Sequence, residues 1–183
     1  MLHPGREANF LNLIETEHLG LREMQDSDAP FYLEMLSDPD FKSNIGDRGL
    51  ITLEDALKHM KDRVYASYEA HGFGMYLVSL KSNDEAIGMA GLVKRDFLDY
   101  VDLGYAFLPR GRGRGFAAEA AAACVEMAAE HFGIVRLAAI TDPDNLSSIR
   151  VLETLGFTME GSVQYPEDGD SCSYFLLDVP ARP

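Results

Sequence analysis

Between a β-rich run and an alanine-rich block, residues 108–123 read LPRGRGRGFAAEAAAA. Three arginines alternate with three glycines, and eight of the thirteen residues from 117 to 129 are alanine. Few folds can use such a segment. Glycines at 111, 113 and 115 allow positive φ and leave the main chain open to close approach. The slim helix behind them can lie near a sheet or a ligand, and its first turn offers unpaired N–H groups and a positive dipole end. Locally this is either a strand-to-helix cradle for phosphate or an ordinary glycine turn with solvated arginines.

Charge sharpens the choice. The chain carries 16 Lys+Arg against 30 Asp+Glu, a formal charge of −14, yet Arg110, Arg112 and Arg114 crowd within five residues. They make a local anion site on an anionic protein. Such a field disfavours nucleic acid and favours cationic small molecules or basic peptides.

The 183 residues show no repeat, low-complexity linker or composition break, so one domain spanning 1–183 is expected. A chain of this size buries roughly 70% of its unfolded surface without staples. Cys124 and Cys172 have no C-x-x-C spacing, which suits a reduced, cytoplasmic protein. The N-terminal MLHPGREANFLNLIETE has no basic segment leading into an apolar run, so neither export nor a membrane span is expected. His3, His18, His59, His71 and His131 lack ligand spacing, and no metal is expected.

A short strand around HLGLREM precedes DSDAPFYLEMLSDPD, which reads as a helix stopped by a turn at Pro39. Thr52-x-x-Asp55 resembles a capping box for a second helix that ends at Gly72. GMYLVSLK, EAIGMAGLVKR and DYVDLGYAFLP then form an antiparallel meander. A helix from about Phe116 to Phe132, the strand VRLAAIT, a short helix SSIRVLETLG and two closing strands complete the order β-α-α-β-β-β-α-β-α-β-β.

Gly113-x-Gly115-x-x-Ala118 also has the form of a dinucleotide fingerprint, which would imply an NAD(P)-dependent oxidoreductase. Against it, that motif opens a doubly wound parallel sheet, whereas here a meander precedes it. No Gly-Lys-Ser/Thr follows the glycines, which excludes a Walker loop.

A second cluster, ITDPDNLSSIRVLETLGFTMEG from Ile140 to Gly161, is more specific. A strand ending in Thr-Asp-Pro-Asp-Asn, a short Ser-capped helix and a Leu-Gly-Phe exit resemble the second half of the acetyl-coenzyme A site in the GNAT superfamily of N-acetyltransferases. The first half matches as well: Arg110 to Gly115 fit that superfamily's Gln/Arg-x-x-Gly-x-Gly/Ala loop. The stretches ETEHLGLREMQDSDAPFYLEMLSDPDF and SNIGDRGLITLEDA resemble its Rim-type branch, which includes the ribosomal-protein alanine N-acetyltransferases.

The resemblance implies a mixed α/β fold with a twisted, mostly antiparallel sheet of about seven strands. Helices would cover both faces, and the sheet would split at its centre to admit acetyl-coenzyme A. It implies that the Phe107 N–H meets the thioester carbonyl and that Leu108 continues the pairing with pantetheine. Main-chain amides from Arg112 through Gly113, Arg114, Gly115 and Phe116 to Ala117 would hold pyrophosphate, with all three arginines near the phosphates. Asn145 would bond pantetheine or serve as a turn or cap residue. Ser148 would face the sulfur, or be a first-turn helix residue. The superfamily often has a tyrosine seven residues after that asparagine as general acid; this chain has Leu152. Asp102 would be the base near the acceptor amine, its alternative being a solvated strand carboxylate. Asp47 and Arg48, and the acidic loop with Glu167, Asp168 and Asp170, would rim the acceptor pocket. The acceptor itself, a protein N-terminus or a small-molecule amine, is left open. So are the oligomeric state, a homodimer included, and a non-catalytic coenzyme A-binding role.

Overall fold

The structure is a computed structural model that describes residues 14–166 and 169–179; Glu167 and Asp168 lie outside the described residues. β1 (Ile14–Glu15) and β2 (Leu19–Arg22) form a hairpin at one sheet edge. Helices follow: α1 (Ala29–Ser37), α2 (Pro39–Asn44), α3 (Leu53–His59) and α4 (Ala66–His71). Pro39 starts a helix here instead of only stopping one. At the first helical position the missing N–H costs nothing, and the Asp38 carboxylate accepts from the Phe41 N–H at 3.1 Å. The Thr52/Asp55 capping box forms as read from the sequence, and Gly72 closes α4 at φ 77°. Between α3 and α4 the turns widen into a π-helical segment, Met60–Tyr65, which the apolar periodicity does not announce.

β3 (Met75–Leu80), β4 (Ala86–Val93) and β5 (Val101–Phe107) make the expected meander. Then come α5 (Phe116–Phe132), β6 (Arg136–Thr141), α6 (Leu146–Thr154), β7 (Thr158–Gln164) and β8 (Ser171–Asp178). The strands form one eight-stranded sheet in the order β1-β2-β3-β4-β5-β6-β8-β7. Every pair is antiparallel except β5 with β6. This is the mixed α/β, mostly antiparallel architecture expected, with one more strand because β1 is only two residues long. A doubly wound parallel sheet, on which the dinucleotide reading depended, is not what the chain builds.

The alanines explain how α5 sits. Ala120, Ala121, Cys124 and Ala128 are fully buried, and the helix packs on β2, β4 and β5. Burial pushes the Cys124 thiol up to about 12, so this cysteine fills space and is no nucleophile. Among the described residues no helix is long and apolar enough to cross a membrane.

Candidate active site

The parallel strands β5 and β6 stay together for two pairs only, Val101↔Leu137 and Asp102↔Ala138. Beyond them β5 continues beside β4 to Phe107, while β6 continues beside β8 to Thr141. The sheet therefore opens between Asp102 and the start of α5. The Leu108 N–H donates to the Ile87 carbonyl at 2.9 Å. By the alternation of an antiparallel ladder, Tyr105 and Phe107 then turn their main-chain groups away from β4, into the opening, where the Phe107 carbonyl accepts from Arg112 Nε. Backbone groups without a ladder partner are rare and costly unless something else satisfies them. Leu108 is not among them, because its carbonyl also accepts, from the Gly111 N–H at 2.8 Å. The last donor facing the opening is Phe107; the main-chain groups of Leu108, which the resemblance would have continue the pairing, are bonded within the chain. Gly88 seats the Phe107 ring, since a Cβ there would come within 2.5 Å of it.

A 3-10 turn, Pro109–Gly111, carries the chain off β5. The Arg112 N–H donates back to Pro109 O at 3.2 Å and so drops out of the expected set of phosphate donors. Gly113 and Gly115 have φ of 71° and 80°, and a Cβ on either would meet nothing within 4 Å. Gly115 is the N-cap of α5 and has no side chain to cap it; Glu119 is the first N–H of the helix with a main-chain acceptor, Gly115 O at 3.1 Å. Open space thus lies before a left-handed turn and the uncapped N-terminus of a 17-residue helix. That combination fits a phosphate group.

The three arginines do not act alike. Arg110 grips Glu34 through both terminal nitrogens, at 2.6 and 3.0 Å, and donates from Nε to Ala86 O at 3.0 Å. Arg112 donates from Nε to Phe107 O at 2.7 Å and pairs with Asp38 at 2.5 Å and with Asp40. Both side chains tie the loop to α1 and α2. Arg114, stacked on the Phe116 ring at 4.6 Å, has no carboxylate partner among the described residues. Arg114→Ala is accordingly expected to weaken coenzyme A binding by a few-fold at low salt and less at high salt, as a screened surface charge should. Arg112→Ala, which strands the nearly buried Asp38, should cost about 1–2 kcal/mol of stability. Titration calorimetry at two salt concentrations, with melting curves, separates the two.

Where the arms part, Asp102 is only 2% exposed, so it is not a solvated strand carboxylate. Its Oδ2 accepts from Arg95 Nε at 2.6 Å. Its Oδ1 is buried without a hydrogen bond of ordinary geometry, although the Ile140 main-chain N–H favours the charged form. Burial pushes the carboxyl up, and Arg95 opposes this only in part. Arg95 in turn donates from Nη1 to the Tyr165 hydroxyl at 3.0 Å and lies over that ring.

On the other arm, Asn145 is the N-cap of α6. Its Oδ1 accepts from the Ser148 N–H at 3.1 Å and from Ser147 Oγ at 2.8 Å, which leaves Nδ2 as the donor. Ser148, in the first turn, meets across the opening a residue that sequence reasoning missed. The Tyr105 hydroxyl lies 3.0 Å from Ser148 Oγ and 3.1 Å from Ser148 O. Burial raises the Tyr105 pKa most and the charge of Asp102 adds to it, while the Ser148 contact lowers it, so Asp102, Tyr105 and Ser148 form one neighbourhood. Leu152, where the resemblance places a tyrosine, is buried core. Asp47 bonds Lys42 and the Gly49 N–H in the α2–α3 loop, and Arg48 bears electrostatically on the Tyr32 and His59 pair between α1 and α3.

Residues 18–158 match the family described as acetyltransferase (GNAT) domain. An uncharacterized N-acetyltransferase, p20 of Bacillus licheniformis, is 26% identical over 170 residues, covering 92% of this chain and 93% of that protein. The acetyltransferase of Agrobacterium tumefaciens str. C58 superposes with a TM-score of 0.77 at 24% identity, covering 94% of this chain and 99% of that one. RimL, a ribosomal L7/L12 alpha-N-protein acetyltransferase solved in complex with coenzyme A, gives a TM-score of 0.78 at 19% identity, over 91% and 97% of the two chains. With a sheet that parts at Asp102, an uncapped glycine turn at the mouth of the opening and a family match over most of its length, the chain belongs to the GNAT acetyltransferases and is an N-acetyltransferase.

Proposed function

We propose that the protein transfers the acetyl group of acetyl-coenzyme A to a primary amine by direct attack, in the manner of the Rim-type branch. The acceptor is a protein N-terminus or a cationic small molecule. The observation that carries this is the opening between β5 and β6 with the glycine turn beside it. An extended amide-bearing arm pairs with an unpartnered strand edge, and a diphosphate suits the uncapped helix start.

Acetyl-coenzyme A supplies an activated acyl group on a thiol, a far better leaving group than an alcohol or an amine and so a fair one without assistance. The chain's own groups do the rest. The Phe107 N–H, facing the opening, donates to an acyl oxygen; Gly113, Arg114, Gly115, Phe116 and Ala117 offer main-chain donors to phosphate; Asn145 Nδ2 donates to an amide carbonyl. Ser148 turns its hydroxyl toward the sulfur. The amine nitrogen bonds to the acyl carbon, the carbon–sulfur bond breaks with its electron pair on sulfur, and the proton lost by the amine passes through water to Asp102.

The reading is tested by incubating the protein with acetyl-coenzyme A and cationic amines: a polyamine, an aminoglycoside, and peptides beginning with serine or alanine. Free thiol and acetylated product should appear in equal amounts for at least one acceptor. Tight coenzyme binding with no product from any amine would support a non-catalytic coenzyme A-binding module instead. Ser148→Ala is expected to lower kcat by at most about 10²-fold, leaving acetyl-coenzyme A binding within a few-fold, because general-acid help to a good leaving group is modest. Single-turnover rates measure this; an unchanged chemical step would reduce Ser148 to a helix-start residue.

A further inference from the structure

We propose that Tyr105 is the positioning residue for Ser148, holding the serine hydroxyl so that its hydrogen points into the opening toward the coenzyme's sulfur. This rests on the acetyltransferase reading of the site. The observation is a contact between the two arms: Tyr105 on β5 reaches Ser148 Oγ at 3.0 Å and Ser148 O at 3.1 Å.

A tyrosine hydroxyl has one hydrogen to donate, as does a serine hydroxyl. The Ser148 carbonyl can only accept, so the one Tyr105 hydrogen is shared between Ser148 O and Ser148 Oγ as a three-centre bond; with Oγ accepting in it, the serine hydrogen is released from the pair and can serve an acceptor in the opening. The place of Tyr105 supports this use. It lies on the stretch of β5 past the last β6 pair, two residues before Phe107, while Leu152 leaves the buried side of α6 without a hydroxyl. Tyr105 holds its hydrogen throughout, because burial pushes its pKa up to about 12, well above an ordinary thiol. It therefore donates a hydrogen bond and gives up no proton. The electron pair of the broken carbon–sulfur bond stays on sulfur, stabilised by Ser148 O–H, and the thiol's eventual proton comes from water.

The test compares two probes by titration calorimetry from neutral pH up through the ionisation of the coenzyme's thiol: coenzyme A, and desulfo-coenzyme A, which has no thiol to ionise. In the wild type the affinity for coenzyme A relative to desulfo-coenzyme A should rise with pH, as the ionised sulfur meets Ser148. Tyr105→Phe and Ser148→Ala should each cut that rise by about tenfold or more, the worth of one hydrogen bond to a charged group. The double variant should lose no more than either alone. Desulfo-coenzyme A should bind Tyr105→Phe within twofold of wild type, which shows an intact fold. A wild-type rise in Tyr105→Phe with a loss in Ser148→Ala overturns the positioning role alone. So does an equal loss of desulfo-coenzyme A affinity, which would make Tyr105 a strut between the arms. A rise retained in Ser148→Ala, or no binding of either probe, overturns the underlying reading of the site.

Discussion

Replacing Asp102 by asparagine is expected to lower the melting temperature by about 6–12 °C and, separately, to cut kcat/KM by one to three orders of magnitude near pH 7. The first effect follows from Arg95, a guanidinium whose carboxylate partner is buried at 2.6 Å. Removing one member of such a pair leaves a charge without its counter-ion and typically costs about 3 kcal/mol, which for a chain of this size is about 2–4 °C per kcal/mol. Arg95→Met in the asparagine background removes the stranded charge as well and should restore most of the stability. The second effect should not be restored. If the Asp102 carboxylate receives the proton of the acceptor amine, the double variant stays slow, and its deficit shrinks at pH 9 and above, where more amine arrives neutral and base help matters less. Burial pushes the Asp102 carboxyl up, so its basicity exceeds that of a solvated aspartate. Activity should climb with pH as more of the acceptor amine arrives neutral. Recovery of the rate together with stability would make the carboxylate a structural tie and place the base elsewhere.

The next largest effect is expected at the glycine turn. Gly115→Val should weaken acetyl-coenzyme A binding by at least about thirtyfold. Gly115 has φ 80° and heads α5; a side chain there costs about 1–2 kcal/mol in the left-handed region, more when β-branched. Its Cβ would stand in the open space before the helix start, where the phosphates must approach. Gly133, also left-handed at φ 63° with nothing near its Cβ, closes the far end of the same helix. Gly133→Val thus gives the strain without the obstruction. Calorimetry on both variants should show coenzyme affinity lost only at Gly115. Equal affinities would mean that the turn merely reverses the chain.

Much of this arrangement was legible in short stretches of sequence, because its causes are local. The Thr52/Asp55 box, the stop at Gly72, the meander and the glycine turn into an alanine helix each depend on residues within a few positions of one another. The π-helical segment and the helix started by Pro39 are local too, yet their letters fit an ordinary helix and an ordinary turn equally well. What escaped was pairing across the fold. Arg112 meets Asp38 and Asp40 from more than seventy residues away, so three neighbouring arginines read as one anion site while two of them bind α1 and α2. Arg95 reaches Tyr165 over a gap of 70 residues. Tyr105 meets Ser148 over 43. Alternation along β5 does not show what a long side chain touches beyond its own strand.

The central claim is that the opening between β5 and β6 takes the pantetheine arm of acetyl-coenzyme A. Its most direct measurement is thermal melting of the wild-type protein with acetyl-coenzyme A, coenzyme A, NAD and NADH at matched concentrations. Stabilisation follows RT ln(1 + [L]/Kd), about 2.7 kcal/mol at a hundredfold excess over Kd. Acetyl-coenzyme A and coenzyme A should raise the melting temperature by several degrees, and the nicotinamide dinucleotides should leave it unchanged; a shift with NAD or NADH and none with acetyl-coenzyme A would contradict the account.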